Sequence, residues 1–510
     1  MQTVEERKTV TKEIKTAVRH STVYGLGGLL ARGLGFLMLP VYTHYLKPAD
    51  YGVLEILDLS MSLLGMFLNM GITTALLRAY TAAKTDEGRA NAVSSACVFV
   101  GVTGVITFLS FAAIARPLTG VIFGPSVPSQ YFLLSLGSFV LSYIANAPRT
   151  YLRAMEASAS FVMVESGSLF AMLALNIYFI AVLHVGLVGV LLSSVIVSLA
   201  QAILLSAWTI RKVGLRFHTA TARAMVKFGL PLIFSNLTLF ALNFSDRFFL
   251  QHLRSLEVVG VYSVGYKFGY MLNYLLVQPF YVMWQARMYV IHAQPEHRRV
   301  FSQIFVLYSL VLSFAALGLS LFSPEIVSLM VDAKFAATRD VIPLVAAAYV
   351  FGGLAYYVQL GMFLTNNTKL IGYVSAVAAC LNLGLNFTLI SQFGMTGAAW
   401  ATLLSFVSLT VGSYICSQRV FPLDLAIGRV GKAMVAAVGL YVLSRYWISG
   451  QFWVAVALKA ALLGAYVLFV WTAGVLSEPE IDTLRAAWQG VLEKFGKATG
   501  LLSRGTASGA

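Results

Sequence analysis

Arg32 falls about eleven residues into the first long apolar run of the chain and Lys267 about nine residues into the eighth, so at 1.5 Å per residue both approach the midplane of a bilayer-spanning helix. A cation there is stable only against a partner or in water, so the two predict a wet cavity that attracts an anion. Glu55 and Asp58, three apart and on one helical face, lie in the outer third of the second run. Asp246, next to Arg247, lies near the outer end of the seventh. Carboxylates at these depths can balance a cation or titrate with H+ or Na+ during a transport cycle, which makes Glu55, Asp58 and Asp246 the candidates for ion coupling. For Asp246 and Arg247 the bland alternative is contact with the outer headgroups. Arg78 and Arg287 sit at the inner ends of the second and eighth runs, and Arg149 and Arg153 at the inner end of the fourth. They form a cationic entrance or snorkel to the cytoplasmic surface. The tyrosines and asparagines around them, such as Tyr143, Asn146, Tyr270, Tyr274 and Asn386, can hydrogen-bond and stack on sugars or bridge helices.

The elements that must position these side chains follow from composition. Of 510 residues, 58% are hydrophobic and 11% charged, against roughly 25% charged in a soluble domain, so the chain is an all-α polytopic membrane protein. Segments of about 20 apolar residues lie near 21–45, 53–80, 92–115, 130–149, 160–183 and 187–210, then 228–250, 258–289, 301–323, 341–364, 370–391 and 395–417, and finally 430–448 and 452–475, fourteen spans in all. With the first loop placed inside, twenty-four Lys and Arg fall in inside loops and five in outside loops, which puts both termini in the cytoplasm. The net charge of +15 follows that topology, and no continuous basic face for nucleic acid is present. Residues 1–20 form an amphipathic cytoplasmic segment suited to membrane lipids rather than a signal peptide. Cys97, Cys380 and Cys416 lie in apolar runs, and no catalytic set, metal motif or phosphate-cradling glycine loop accompanies them. The chain is therefore read as no enzyme, with no cofactor and no metal beyond a coupling H+ or Na+.

An internal repeat organises the spans. HYLKPADYGV (44–53) matches HLRSLEVVGV (252–261) and VGLVGV (185–190) matches FGMTGA (393–398), both at an offset of 208 residues. Between them ALLRAY (75–80) meets WQARMY (284–289) once one residue is inserted in the second copy. A unit of six spans is even, so the copies share one orientation and are related by an axis along the membrane normal. The chain divides into a six-helix N-lobe at 21–210, a basic linker at 211–227, a six-helix C-lobe at 228–417, two extra spans at 430–475 and a cytoplasmic tail at 476–510. Pro40, Pro148, Pro231 and Pro279 break the spans that carry the chemistry.

At LPVYTHYLKPADYGVLEIL (39–57), NFSDRFFLQHL (243–253), VGVYSVGYKFG (259–269), SPEIVSLMVDAKFAATRDVIPLV (323–345) and LNLGLNFTLISQFGMTGAAWAT (381–402), the chain resembles the polysaccharide transporter family. These are the O-antigen flippases and their relatives, within the multidrug/oligosaccharidyl-lipid/polysaccharide exporter superfamily. The resemblance implies two lobes around a central cationic cavity. It further implies alternating-access translocation of an undecaprenyl-pyrophosphate-linked oligosaccharide across a bacterial inner membrane, with polysaccharide polymerase and chain-length machinery as partners. Arg32 and Lys267 would then attract the pyrophosphate, and Arg78, Arg149, Arg153 and Arg287 would line the inner entrance. A lipid II flippase and a multidrug or cation antiporter of the same superfamily are the competing readings.

Overall fold

The structure, a computed structural model, describes residues 36, 38–69, 71–447, 451–482 and 485. Arg32, the 1–20 segment, most of the first expected span and the tail from 486 lie outside the described residues. Every regular element among the described residues is a helix. Ten of these helices are long and apolar enough to cross a membrane, so the chain is a multi-pass membrane protein. Thr368–Val420 carries two of the expected spans as one element, kinked at Gly394. The spans expected at 228–250 and 258–289 are helical as Thr219–Leu253 and as Leu256–Leu272 continued by Gln278–His292.

By contact the chain forms two compact units. One holds the described residues of Met1–Gly265, Val327–Thr338 and Ala379–Thr402, the other those of Tyr266–Ile326, Arg339–Ala378 and Leu403–Ala510. The first unit buries Leu76, Val93, Ala96, Tyr143 and Tyr151 in one cluster. The second packs Leu317 and Leu321 against Ala433, Tyr466 and Val470, which seats the two last helices, Ile427–Trp447 and Phe452–Thr472, on His297–Leu321.

The repeat is visible in the backbone. Gly186 and Gly394, 208 residues apart, adopt φ 63°, ψ −137° and φ 59°, ψ −132°. A positive φ with an extended ψ is open to glycine alone, so each copy makes its turn between spans in the same way. Within the first unit, Pro48–Asn69 crosses the start of Leu256–Leu272 backbone against backbone. A Cβ on Gly52 would strike the carbonyl oxygen of Leu256, and one on Gly260 would strike that of Pro48. Glycines and carbonyls alike obey the offset of 208, so the crossing is its own mirror under the repeat. The extra residue of the second copy also has a place. Asn273–Val277 is a π turn, which accommodates one residue more than an α turn, with Pro279 two residues beyond it. The first copy breaks at the corresponding Gly71, with φ 64°, between Pro48–Asn69 and Ile72–Ala82.

Three boundaries differ from the sequence reading. The second span begins at Pro48 rather than 53, because proline fits the first helical position and Asp50 sits at the positive end of the helix dipole. The stretch 323–340, left between the expected spans 301–323 and 341–364, is the short helix Ser323–Met330 and a 3-10 segment Ala333–Asp340. Within the first unit Phe335 is fully buried edge-on to Tyr51, Thr338 Oγ1 donates to Val261 O at 3.0 Å, and Lys334 Nζ donates to His44 O at 2.8 Å. The non-helical linker shrinks to residues 214–218, where Ser94 Oγ donates to Gly214 O and Arg216 O at 3.1 and 2.8 Å.

Candidate functional site

Asp246 and Arg247 are not at a headgroup surface. Both are buried, 2% and 1% exposed, on Thr219–Leu253. Arg247 Nη1 donates to Asp246 Oδ1 at 2.7 Å and to Asn243 O at 2.8 Å. Tyr262 OH donates to Asp246 Oδ2, and Thr402 Oγ1 approaches the same oxygen at 3.4 Å. The guanidinium carbon also lies 5.2 Å from the Tyr262 ring centre. On the residue just before Asp246, Ser245 Oγ donates to Asn382 Oδ1 at 3.1 Å, and Asn386 Nδ2 donates to Asn382 Oδ1 at 2.9 Å. Helices from three parts of the sequence thus close a polar network inside the first unit. Its physical logic is mutual compensation: a buried carboxylate and a buried guanidinium are each tolerable only because the other is present and the remaining lone pairs are hydrogen-bonded.

This network contains oxygens that could hold a small cation, on Asp246, Asn382 and Thr402. The guanidinium of Arg247 already neutralises the carboxylate, so a proton or sodium ion taken up here must compete with it. Among the described residues no group of three or more His, Cys, Asp or Glu could hold a metal ion. Removing one bond of the network has a bounded effect. Tyr262→Phe is expected to lower stability by about 2 kcal/mol, the range for a hydrogen bond to a charged group, read as a lower thermal unfolding midpoint in detergent.

The other carboxylates separate. Glu55 is buried, whereas Asp58, one turn on, is exposed. Among the cations, Arg149 and Arg153 share the end of Ser129–Ala154 and face Ser158–Ile177. Arg149 Nη1 lies 3.7 Å from Glu165 Oε1, and its Nη2 donates to Ser142 O at 2.7 Å. Arg153 Nη2 donates to Thr150 Oγ1 at 3.1 Å, with its guanidinium 5.7 Å from the Phe161 ring. Arg78 and Arg287 are exposed on Ile72–Ala82 and Gln278–His292. Lys267 is exposed on Leu256–Leu272 between buried Tyr266 and Phe268. The structure therefore brings together Arg149 with Arg153 and Asp246 with Arg247. Ser245 and Thr402 were missed by sequence reasoning, since a lone hydroxyl in an apolar run carries no signal. Asn382 and Asn386 carried one, their spacing of four residues on one helical face.

A family profile described as "Polysaccharide biosynthesis protein" matches residues 17–283. No curated protein sequence matches the chain. Among solved structures, the fold is similar to that of the lipid II flippase MurJ in an inward closed conformation, with a TM-score of 0.69 and 10% identity over 89% of this chain and 99% of that one. It is similar to an inward-facing multidrug resistance MATE family transporter of the MOP superfamily, with a TM-score of 0.62 and 14% identity over 76% and 94% of the two chains. It is similar also to a variant of the MATE transporter VcmN of Vibrio cholerae, at 0.55 and 14% over 81% and 98%.

Proposed function

Because the chain belongs to the polysaccharide biosynthesis protein family, we propose that it is a flippase for undecaprenyl-pyrophosphate-linked oligosaccharide repeat units in the bacterial inner membrane. It feeds polysaccharide or O-antigen assembly, is no enzyme, and works beside a polymerase and its chain-length machinery. The family match over more than half of the chain is the observation that carries this reading, and the transporter fold supports it. The six-span repeat supplies the two lobes, 21–210 and 228–417, that alternating access requires, with both termini cytoplasmic.

The headgroup is a polyanion, so the roles of the cations follow from charge. Arg32 and Lys267 attract the pyrophosphate near mid-membrane, and Arg149, Arg153, Arg78 and Arg287 gather it at the cytoplasmic end. A membrane potential negative inside assists export of each negative charge by about 2.3 kcal/mol per 100 mV. Asp246, the most enclosed of the three coupling carboxylates, is the one whose H+ or Na+ uptake would be felt by three helices at once; Glu55 and Asp58 are the lesser candidates.

The test is export in cells that carry Lys267→Ala or Arg149→Ala in place of the wild-type gene. Both proteins are expected to insert, while surface glycan falls about tenfold, the effect of roughly 1.4 kcal/mol of lost attraction. Lipid-linked repeat units should accumulate on the cytoplasmic leaflet. Unchanged export by both variants would sink the assignment. Accumulation of lipid II instead of repeat units would move the substrate to the one named for the structural neighbour.

A further inference from the structure

The helix that carries Lys267 exposes two stripes of opposite character. One runs through Leu275, Pro279, Val282, Met283, Ala286 and Val290, apolar throughout, as a lipid-facing side must be. The other holds Lys267, Gln285 and Tyr289, exposed, and Tyr274, Gln278 and Tyr281, half-buried, at spacings of three, four and seven residues. At 1.5 Å per residue it is about 33 Å long, close to the thickness of the hydrocarbon core. All of it lies in the second unit. Residues 266–295 contain no Asp or Glu, so nothing on this stripe repels an anion.

A polar stripe of that length on a bilayer-spanning helix is kept from lipid by water, a polar ligand or a neighbouring helix, and its composition says which ligand it suits. Tyr281 pairs with Tyr356 of Ile342–Val358, ring centres 4.5 Å apart. Gln285, an exposed residue, donates from Nε2 to Tyr281 OH at 2.6 Å. Behind the pair the adjacent residues are locked in a buried aromatic stack. Phe280 stacks on Tyr308 at 3.7 Å, Trp284 stacks on Tyr357 at 4.6 Å, and Tyr357 OH donates to Phe301 O at 2.5 Å. The rings are thereby held in place before any ligand arrives. Fixed aromatic faces flanked by amides, without a carboxylate, match the apolar CH face and equatorial hydroxyls of a sugar ring. They do not match an organic cation, which would seek an acid. At the repeat-related positions of the first copy, Lys267, Tyr281 and Gln285 are replaced by Leu59, Ile72 and Leu76, so the stripe belongs to one half of the repeat.

We infer that Tyr281 and Tyr356, with Gln285, form a sugar-stacking platform that binds the glycan rather than the pyrophosphate of the substrate. This rests on the flippase reading above and adds to it a division of labour, in which cations hold the phosphate end and aromatics the carbohydrate end. The protein is reconstituted in nanodiscs. Binding is measured for two lipids: repeat-unit lipid extracted from the same cells, and undecaprenyl pyrophosphate bearing no sugar. Tyr281→Leu and Tyr356→Leu are expected to weaken binding of the sugar-bearing lipid at least about tenfold and to leave the sugar-free lipid within about twofold. Tyr281→Phe and Tyr356→Phe, which keep the ring, should stay within about threefold for both. Gln285→Leu, at an exposed position that tolerates leucine, gives the same selective loss to a smaller extent and covers the case in which a tyrosine variant fails to fold.

Equal weakening of both lipids, or wild-type binding of the sugar-bearing lipid by the Leu variants, overturns the platform. So does a wild-type protein that binds the two lipids equally while still transporting repeat units, an outcome that leaves the flippase reading intact. Wild-type protein that neither binds nor moves either lipid overturns the flippase reading itself, and the platform with it.

Discussion

Lys459→Met is expected to lower the unfolding free energy by about 3 to 5 kcal/mol, while Lys459→Met combined with Glu325→Met recovers most of that loss. Lys459 sits within Phe452–Thr472, and its Nζ donates to Glu325 Oε1 at 2.6 Å, both side chains being about nine-tenths buried. Truncating the lysine leaves a buried carboxylate without the Lys459 ammonium, and the cost of that desolvated charge, rather than the lost attraction, sets the size of the effect. Removing both charges takes away the desolvation penalty together with the attraction. The measurement is thermal or denaturant unfolding in detergent for the two single variants and the double. A double variant as unstable as the singles would show that the pair is not what holds the last helix. Two further ion pairs fasten the same C-terminal region within the second unit, Arg445 with Asp340 at 3.3 Å and Arg429 with Glu480 at 2.7 Å. The first is half exposed and contributes little.

Gly260→Val is expected to destabilise the protein by about 3 kcal/mol and to arrest transport, with Gly52→Val equivalent to it. The neighbour at each glycine is a backbone carbonyl, which has no rotamer to swing aside, so the helices themselves must separate. Gly101 and Gly464 are the controls, since an added Cβ there meets nothing within 4 Å. Alanine at those two positions gains helix propensity, about 0.5 to 1 kcal/mol. Opposite signs at the two pairs of glycines, read as unfolding midpoints, support the crossing. Losses of similar size at all four sites would reduce it to a general intolerance of side chains in this membrane protein.

These glycines also mark what was legible in the sequence. The offset of 208 residues was readable at Gly52 and Gly260, and again at Gly186 and Gly394, because a position that admits only glycine writes itself into the sequence. Apolar run lengths gave the helical class for the same reason: hydrocarbon thickness leaves little choice. What the ionisable residues do was less readable, because a partner can come from anywhere in the chain. Asp246 and Arg247 look like a surface pair until Tyr262 and Thr402, the latter 156 residues on, close over them. Lys459 in the last span reads as structural, but nothing near it in sequence points to its partner Glu325, 134 residues earlier. Local pattern carries no record of such pairings. It equally hid the helical form of 323–340, whose mixed charges read as loop and whose Phe335 and Thr338 are held by contacts made far away.

The π turn at Asn273–Val277 has one more consequence, and it is evolutionary. Two halves that descend from one duplicated ancestor start out showing the same faces inward, and point substitutions must then rebuild a face residue by residue. A single inserted codon can instead be taken up whole by a π turn, which holds one residue more than an α turn, so the helix on either side keeps its faces while the turn between them widens. In the second half that turn lies just before Gln278, Tyr281 and Gln285. The two halves could thus diverge in local backbone in one mutational step without resetting the packing of the rest of the helix.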